Sequence, residues 1–257
     1  MIVSACATLS RDNITRYESL FMKISIVVPV LNEANVIGSC LAKLLELEDD
    51  FEIIVADGGS RDETVHIAKQ MAAGSGNRLQ VCEHIKPGRA FQMNAGADAA
   101  TGDVLLFLHA DCTLHKGSLK AISENLKDEA IIGGGFYKKY SVENFFLRSY
   151  RIAMNVIRTK WMKSLVGTNA IFVRKQTFIQ LGKFREVSLL EDVMLSDRMK
   201  KAGRLLFLKP HVVSSSRRYY EAGILRRIWI AYKIMYLYRI KHKSPDELKS
   251  IYTQITR

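Results

Sequence analysis

Four short apolar runs, Ile24–Val28, Phe51–Ala56, Leu79–Cys82 and Val104–Leu108, divide the first 108 residues, with a helix-length stretch between each pair. Runs this short, closed by Pro, Gly or Asp, have strand length, and apolarity without alternation means burial on both faces. Between the first two, Val36, Ile37, Leu41, Leu44 and Leu45 share one face of a helix capped by Asn32 or Asn35. The next helix begins at Ser60-Arg-Asp-Glu, a capping-box spacing, and runs to about Ala73, where Gly74–Asn77 breaks it. Arg89–Ala100 reads as a third helix before the turn Thr101-Gly102-Asp103. A βαβαβαβ order demands an α/β fold: a mostly parallel sheet with helices on both faces and ligands gathered beyond the carboxyl ends of its strands. The polar clusters after the first, second and fourth strands fall at that edge.

The second half is less regular. Ile131–Tyr140 reads as a strand interrupted by Gly133-Gly134-Gly135, which lets another group approach its backbone closely. Residues 143–163 read as an amphipathic helix with Phe146, Tyr150, Ala153, Met154, Ile157 and Trp161 on one stripe and Arg148, Arg151 and Arg158 off it. Ala170–Val173 is a further strand, Asp192–Ala202 a helix and Leu205–Leu208 a last strand. Without repeats or low-complexity linkers, the expected division is a tail over 1–21, one domain over 22–220 and a basic, aromatic helical segment over 221–257. Met22, directly before the first strand, is a candidate start.

With 257 residues and 48% hydrophobic content, the chain can bury a core and is too apolar for disorder. No window approaches the roughly 18–20 apolar residues of a membrane span. The net charge of +12 is unevenly placed. Residues 138–163 hold seven Lys/Arg against one acid, residues 217–257 hold ten against three, and the remainder is balanced at 21 against 22. A uniformly basic nucleic-acid binder is excluded by that balance; two cationic segments point instead to a local anionic contact. In residues 224–243, Ile, Leu, Trp and Tyr alternate with Arg226, Arg227, Lys233, Arg239, Lys241 and Lys243. Such a helix suits the interface of an anionic bilayer, or packing on the core or on a second copy in a homodimer. Cys6, Cys40, Cys82 and Cys112 form no CxxC pair and read as reduced thiols of a cytoplasmic protein, and the N-terminus makes a poor signal peptide.

Three clusters carry candidate chemistry. Asp57-Gly58-Gly59-Ser60 offers an acid for a base or ribose and glycines for close backbone approach, or else a helix-capping turn. In His109-Ala110-Asp111, side chains two apart on an extended segment point the same way and suit a divalent cation, Mg²⁺ or Mn²⁺; alternatively Asp111 caps the helix near Lys116. Glu191-Asp192 sets two carboxylates at a helix start, one as cap and one as general base, or both as ordinary first-turn acids. Lys86, Arg89, Arg217 and Arg218 are candidate phosphate partners or solvated charges.

In order along the chain stand PVLNE, DGGSRDET, KPGRAFQMNAGADAATGD, LLFLHAD, GTNAIFVRK, LLEDVMLSDRMKKAG and SSRRYY. Together they resemble glycosyltransferase family 2, the inverting transferases of GT-A fold, across about residues 22–220. HAD in place of the usual double-acid motif, and RRYY in place of QxxRW, resemble the subgroup associated with radical-SAM and selenodomain proteins. The resemblance implies a nucleotide-sugar donor in a pocket formed by Pro29, Asn32, Glu33, Asp57, Gly58, Gly59 and Arg89. It implies a divalent cation at Asp111, with His109 where an acid is customary, and weaker metal binding as a result. His211 is either a further ligand or a surface residue. Asp192 would be the base with Glu191 orienting it, and Gly167, Thr168 and Asn169 would stand by the donor sugar and acceptor. The expected enzyme is peripheral at the inner face of the membrane, with an acceptor that is lipid-linked or otherwise unspecified. Rivals are a nucleotidyltransferase, which calls for a Gly-rich, Arg-containing loop where PVLNEAN stands, and a catalytically silent nucleotide-binding scaffold.

Overall fold

Strand β1 (Ile24–Val30) is buried at all seven positions, because strands flank it on both edges and helices cover both faces. Ile24, Ile26, Val28 and Val30 enter one apolar cluster and Val27 the other, the alternation a pleated strand imposes. The structure is a computed structural model that describes residues 22–157, 159 and 164–256. Parallel to β1 run β2 (Phe51–Asp57) on one edge and β4 (Val104–Phe107) on the other, with β3 (Leu79–Cys82) outside β2. Helices α1 (Ala34–Leu45) and α2 (Thr64–Ala73) pack on the first face and α3 (Arg89–Ala99) on the second. Past β4 come β5 (Cys112–Thr113), α4 (Ser118–Asn125), β6 (Ile131–Tyr140) and α5 (Phe145–Val156). Then follow a 3₁₀ turn (Gly167–Asn169), β7 (Ile171–Arg174), α6 (Lys175–Gln180), α7 (Glu191–Ala202) and β8 (Arg204–Ser214). Three helices close the chain: α8 (Arg217–Ala222), α9 (Ile224–Arg239) and α10 (Pro245–Thr256).

The sheet order is β3-β2-β1-β4-β7-β6-β8-β5. Its first half is the expected parallel unit; β7 then runs antiparallel to both β4 and β6, giving a mixed sheet. The glycines of β6 do permit close approach, and what approaches is the sheet itself: a Cβ on Gly133 would overlap the Phe172 carbonyl, and one on Gly134 the Leu206 carbonyl. The last strand reaches Ser214 instead of Leu208 because it pairs with β6 along nearly its whole length.

Local caps differ from the sequence reading. Neither Asn32 nor Asn35 caps α1, whose N-cap is Glu33. Its first amides go across to the next loop: Glu33 N–H donates to Thr64 Oγ1 (2.8 Å) and Ala34 N–H to Asp62 Oδ2 (3.1 Å). The capping box at Ser60 does not form, since the Asp57 carboxylate already accepts the Gly59 and Ser60 amides; α2 starts later, at Thr64. The helix expected over 143–163 is capped by Asn144. Leu147 is its buried residue, Phe146 is 67% exposed, and Arg151 points inward to Glu143 at 2.6 Å. Of the expected stripe, Tyr150 and Met154 stay on the inner side and Phe146 does not. Arg158, Trp161, Cys6 and the 1–21 tail lie outside the described residues.

At the amino edge of the parallel unit, the Glu52 carboxylate joins three loops. It accepts from Ser25 Oγ (2.6 Å), Thr101 N–H (2.6 Å) and Thr101 Oγ1 (2.9 Å), and Lys23 Nζ stands 3.4 Å away. Burial alone would raise its pKa, but these donors outweigh it and hold the carboxyl below its ordinary range. Glu52→Gln leaves donors without a charged acceptor, at a cost of about 2–3 kcal/mol. The expected melting temperature is roughly 5–10 °C lower near neutral pH. Because the folded pKa is depressed, the wild-type advantage is full above the ordinary glutamate range and shrinks as pH falls through the folded value. Calorimetry of both proteins from pH 3 to 7 checks this.

Candidate active site

At the carboxyl edge of the parallel strands two cavities meet. The larger, about 720 Å³, lies between the end of β1, the start of α3, the 109–111 turn, the 186–191 loop and α10. The smaller, about 310 Å³, is walled by β6, α5, the 3₁₀ turn and α9. Asp111, Thr168, Leu189 and Tyr252 line both and so mark the junction. Glu191 faces the larger cavity and Asp192 the smaller.

The Asp192 carboxylate is fixed on both oxygens: Oδ2 accepts the Gly167 amide at 2.6 Å and Oδ1 the Val193 amide at 2.7 Å. One turn further along α7, Ser196 Oγ accepts the Leu165 amide at 2.8 Å. Positions four apart on a helix lie on one face, so α7 grips the 165–167 segment at two points. The next residue in the turn, Asn169, is buried and donates to the Phe136 carbonyl (2.9 Å) while accepting the Val166 amide (3.2 Å). Neither carboxylate caps α7; the N-cap is Leu190, held in the left-handed region at φ 67°. Glu191 is 7% exposed, and burial, then the neighbouring Asp192, pushes its carboxyl up to about 7 against the pull of Arg89 and Lys249.

His109 and Asp111 do not lie on an extended segment. β4 ends at Phe107, and the Cys112 amide donates to the His109 carbonyl at 2.9 Å, so the chain turns between them. Nor does Asp111 cap the following helix, whose N-cap is Gly117. The His109 imidazole abuts Gly167: a Cβ there would overlap Nε2 and stand 3.5 Å from Asp192 Oδ2. Among the described residues no three His, Cys, Asp or Glu are arranged to hold a metal ion. Asp111 is a hard oxygen ligand, and with His109 as the other expected donor this set would need further oxygen ligands to hold Mg²⁺ or Mn²⁺.

Of the other expected residues, Pro29, Glu33 and Arg89 line the larger cavity, Thr168 both, and Asn169 the smaller. Asp57 is 2% exposed, with its carboxylate on the amides of Gly59 and Ser60. Gly58 backs onto Gln92, which donates to the Val30 and Ala56 carbonyls. Asn32, at φ 54°, accepts the Arg61 amide and gives its own to Ser60 Oγ. These residues shape the loops behind the cavity wall. Lys86 lines the cavity above the Phe91 ring, whereas Arg217 pairs with Glu221 on the surface. His211 lines neither cavity and packs near the Tyr137 ring, and burial with the cations Lys139, Arg151 and Lys209 lowers its pKa. Sequence reasoning missed Lys138, Tyr140, Tyr219, Arg227, Lys249 and Tyr252 as lining residues. Only RRYY, which holds Tyr219, carried a signal.

Cys40 and Cys112 are free, buried thiols, pushed up to about 12 by burial first and by the Asp111 charge second. They are inert at neutral pH, unlike Glu191. Since the folded Glu191 keeps a proton that an ordinary glutamate releases, its contribution to stability falls as pH rises from about 4.5 to about 7 and stays low above. Glu191→Gln removes that loss, on the order of 2 kcal/mol. Its melting temperature is expected to exceed wild type by roughly 4–8 °C at pH 8 and to converge with it toward pH 4.5; a pH series of thermal melts reads the difference.

The sequence pattern of Glycosyl transferase family 2 matches residues 25–190. A PGL/p-HBAD biosynthesis glycosyltransferase of Mycobacterium bovis is 42% identical over 98 residues, 38% of either chain. Glycosyltransferase AglE of Haloferax volcanii is 26% identical over 168 residues, 63% of this chain and 55% of that one. The chain thus spans little more than half, or less, of the length of these relatives. Among solved structures, mannosyltransferase PcManGT from Pyrobaculum calidifontis, in complex with GDP-Man and Mn²⁺, superposes with a TM-score of 0.66 at 19% identity, covering 91% of this chain and 68% of that one. S. aureus TarS 1-349 in complex with UDP-GlcNAc gives 0.58 at 18%, covering 91% and 70%. These two likenesses establish the GT-A fold, and with the family pattern matching residues 25–190, well over half of the chain, the chain belongs to glycosyltransferase family 2.

Proposed function

We propose that this chain is an inverting glycosyltransferase that moves a sugar from a nucleoside-diphosphate sugar to an acceptor hydroxyl. The observation that carries the reading is the position of Asp192, a carboxylate anchored by two backbone amides on the wall of the smaller cavity, next in sequence to Glu191 on the wall of the larger. The larger cavity has the volume of a small-molecule site and takes the donor, with Pro29, Glu33 and Arg89 on its wall and Asn32, Asp57, Gly58 and Gly59 setting the loop beneath the nucleoside. The smaller takes the acceptor. The complexes of PcManGT with GDP-Man and of TarS with UDP-GlcNAc, on the same fold, support a nucleotide-sugar donor.

Asp192 accepts the acceptor's hydroxyl proton as that oxygen bonds to the anomeric carbon. The carbon–oxygen bond to the diphosphate breaks on the opposite face, its electron pair leaves with the nucleoside diphosphate, and the configuration inverts. Gly167, Thr168 and Asn169 border the sugar, with Lys138 Nζ donating to Thr168 Oγ1 at 3.2 Å to steady that border. Glu191, buried behind the base, orients it. A divalent cation carried in on the diphosphate and met by Asp111 would neutralise charge on the leaving group; His109 supports Asp192's neighbourhood. The HAD and RRYY motifs favour the subgroup associated with radical-SAM and selenodomain proteins.

The acceptor reading extends to lipid. Leu225, Trp229, Tyr232, Tyr236 and Ile240 expose one stripe of α9, at 51–75%, and Phe145, Phe146, Ile152 and Val156 expose the outer face of α5. The inner faces of the same two helices wall the smaller cavity. No helix among the described residues is long and apolar enough to cross a membrane. Peripheral attachment at the inner face of an anionic membrane, with a lipid-linked acceptor entering from it, follows from that stripe and its flanking cations.

Two measurements test these statements. Thermal shift with UDP-, GDP-, CDP- and dTDP-sugars, with and without Mn²⁺, should reveal a donor. Asp192→Asn should still bind it while turnover drops by about two to four orders of magnitude; undiminished turnover sinks the assignment of the base. Flotation with phosphatidylglycerol vesicles should carry wild type and lose Trp229→Ser/Tyr236→Ser, whereas binding by neither protein at low salt removes the membrane reading.

A further inference from the structure

The C-terminal hairpin of α9 and α10 lies outside the stretch matched by the family pattern, yet it forms part of both cavities. Its seat is firm. Ile230, Ile234 and Leu248 are buried against Leu189, Leu190, Leu237, Ile251 and Tyr252. Arg239 makes a two-pronged pair with Asp197 of α7 at 2.6 and 2.8 Å, and Ser188 Oγ donates to Asp246 Oδ1 at 2.8 Å. Tyr252 stands between the cavities, with its hydroxyl accepting from Arg227 at 3.0 Å.

Three cations line the larger cavity: Lys86, Arg89 and Lys249. Lys86 is committed to the face of Phe91, with Nζ 4.4 Å from the ring centroid. Arg89 and Lys249 instead act from two separate elements, the start of α3 and the middle of α10, on the same carboxylate, Glu191. In an inverting transfer the leaving diphosphate lies on the face of the anomeric carbon away from the base, which puts it in the larger cavity, whose wall carries Arg89, Lys249 and Asp111. Two cations from different elements on the wall of one cavity suit an anionic leaving group.

We propose that Lys249, on a helix beyond the family-matched stretch, is a ligand of the donor's diphosphate together with Arg89. The proposal rests on the donor reading of the larger cavity given above. It makes the hairpin part of the donor site: seating α10 against Leu189 and Leu190 both walls the cavity and brings the second cation into it.

The test is isothermal titration of the full chain with UDP, GDP, CDP and dTDP, followed by the matching nucleoside of whichever binds. Lys249→Ala is expected to weaken the nucleoside diphosphate about tenfold and leave the nucleoside unchanged, and Lys249→Arg to restore most of the loss. Lys241→Ala, a cation of the same hairpin that lines neither cavity, should bind as wild type. Equal affinity in wild type and Lys249→Ala, or the same loss in Lys241→Ala, overturns the assignment while the donor reading stands. Failure of wild type to bind any of the four diphosphates overturns both.

Discussion

The 2.6 Å hydrogen bond from the Gly167 amide to Asp192 joins the segment entering β7 to the start of α7. Asp192 approaches from the loop after α6, Gly167 from the segment that feeds β7, and His109 from the end of β4; the three meet only because β7 pairs antiparallel to β4. Gly167 has to be a glycine here for want of room, since a side chain would run into His109. The Asp192 carboxylate is therefore held by backbone geometry, which cannot swing away as a side-chain partner can, and in the proposed role of base such a fixed dipole would need no reorganisation during the reaction.

That rigidity has a conformational cost close by. Asn32, Ala170 and Leu190 all adopt positive φ without being glycine, and each flanks a group that faces or supports the site. Leu190 is the clearest case: an apolar, branched residue at φ 67° costs roughly 1–2 kcal/mol. Its side chain packs into the cluster with the C-terminal hairpin. Hydrophobic burial on one side thus offsets backbone strain on the other, and the strained residue directly precedes Glu191 and Asp192.

The parallel half of the sheet was legible because burial on both faces leaves an unbroken apolar run, and the clusters after those runs fell at the edge where the cavities open. The pair Glu191-Asp192 was legible for its place at a helix start. Other features were hidden for identifiable reasons. Asn32 and Ser60 have the chemistry of caps, but the Thr64 and Asp62 side chains across the loop take the Glu33 and Ala34 amides, and Ser60 Oγ accepts the Asn32 amide while its own amide goes to Asp57. Of the stripe that predicted an inward face, Tyr150 and Met154 line the smaller cavity while Phe146 is exposed, and Arg151, read as off the stripe, turns in to a part-buried pair with Glu143. Lys138, Arg227 and Lys249 could not be told from surface cations, because their role depends on which cavity the fold sets beside them, and periodicity carries no such information.

The uneven charge of the chain acquires a physical meaning from this placement. Ten of its Lys and Arg lie in residues 217–257, and a purely electrostatic surface helix would present them all to one partner. Instead they are divided among different tasks. Arg239 holds α9 to Asp197, Arg227 meets Tyr252 at the wall between the cavities, Lys249 faces the larger cavity, and Lys233 lies over Trp229 on the exposed stripe. Cations with such different partners respond differently to salt: those on the outer stripe are screened within a Debye length of about 10 Å at 0.1 M, whereas a half-buried pair such as Arg239–Asp197 is screened far less. High ionic strength should therefore weaken any anionic contact of the outer stripe without unseating the hairpin.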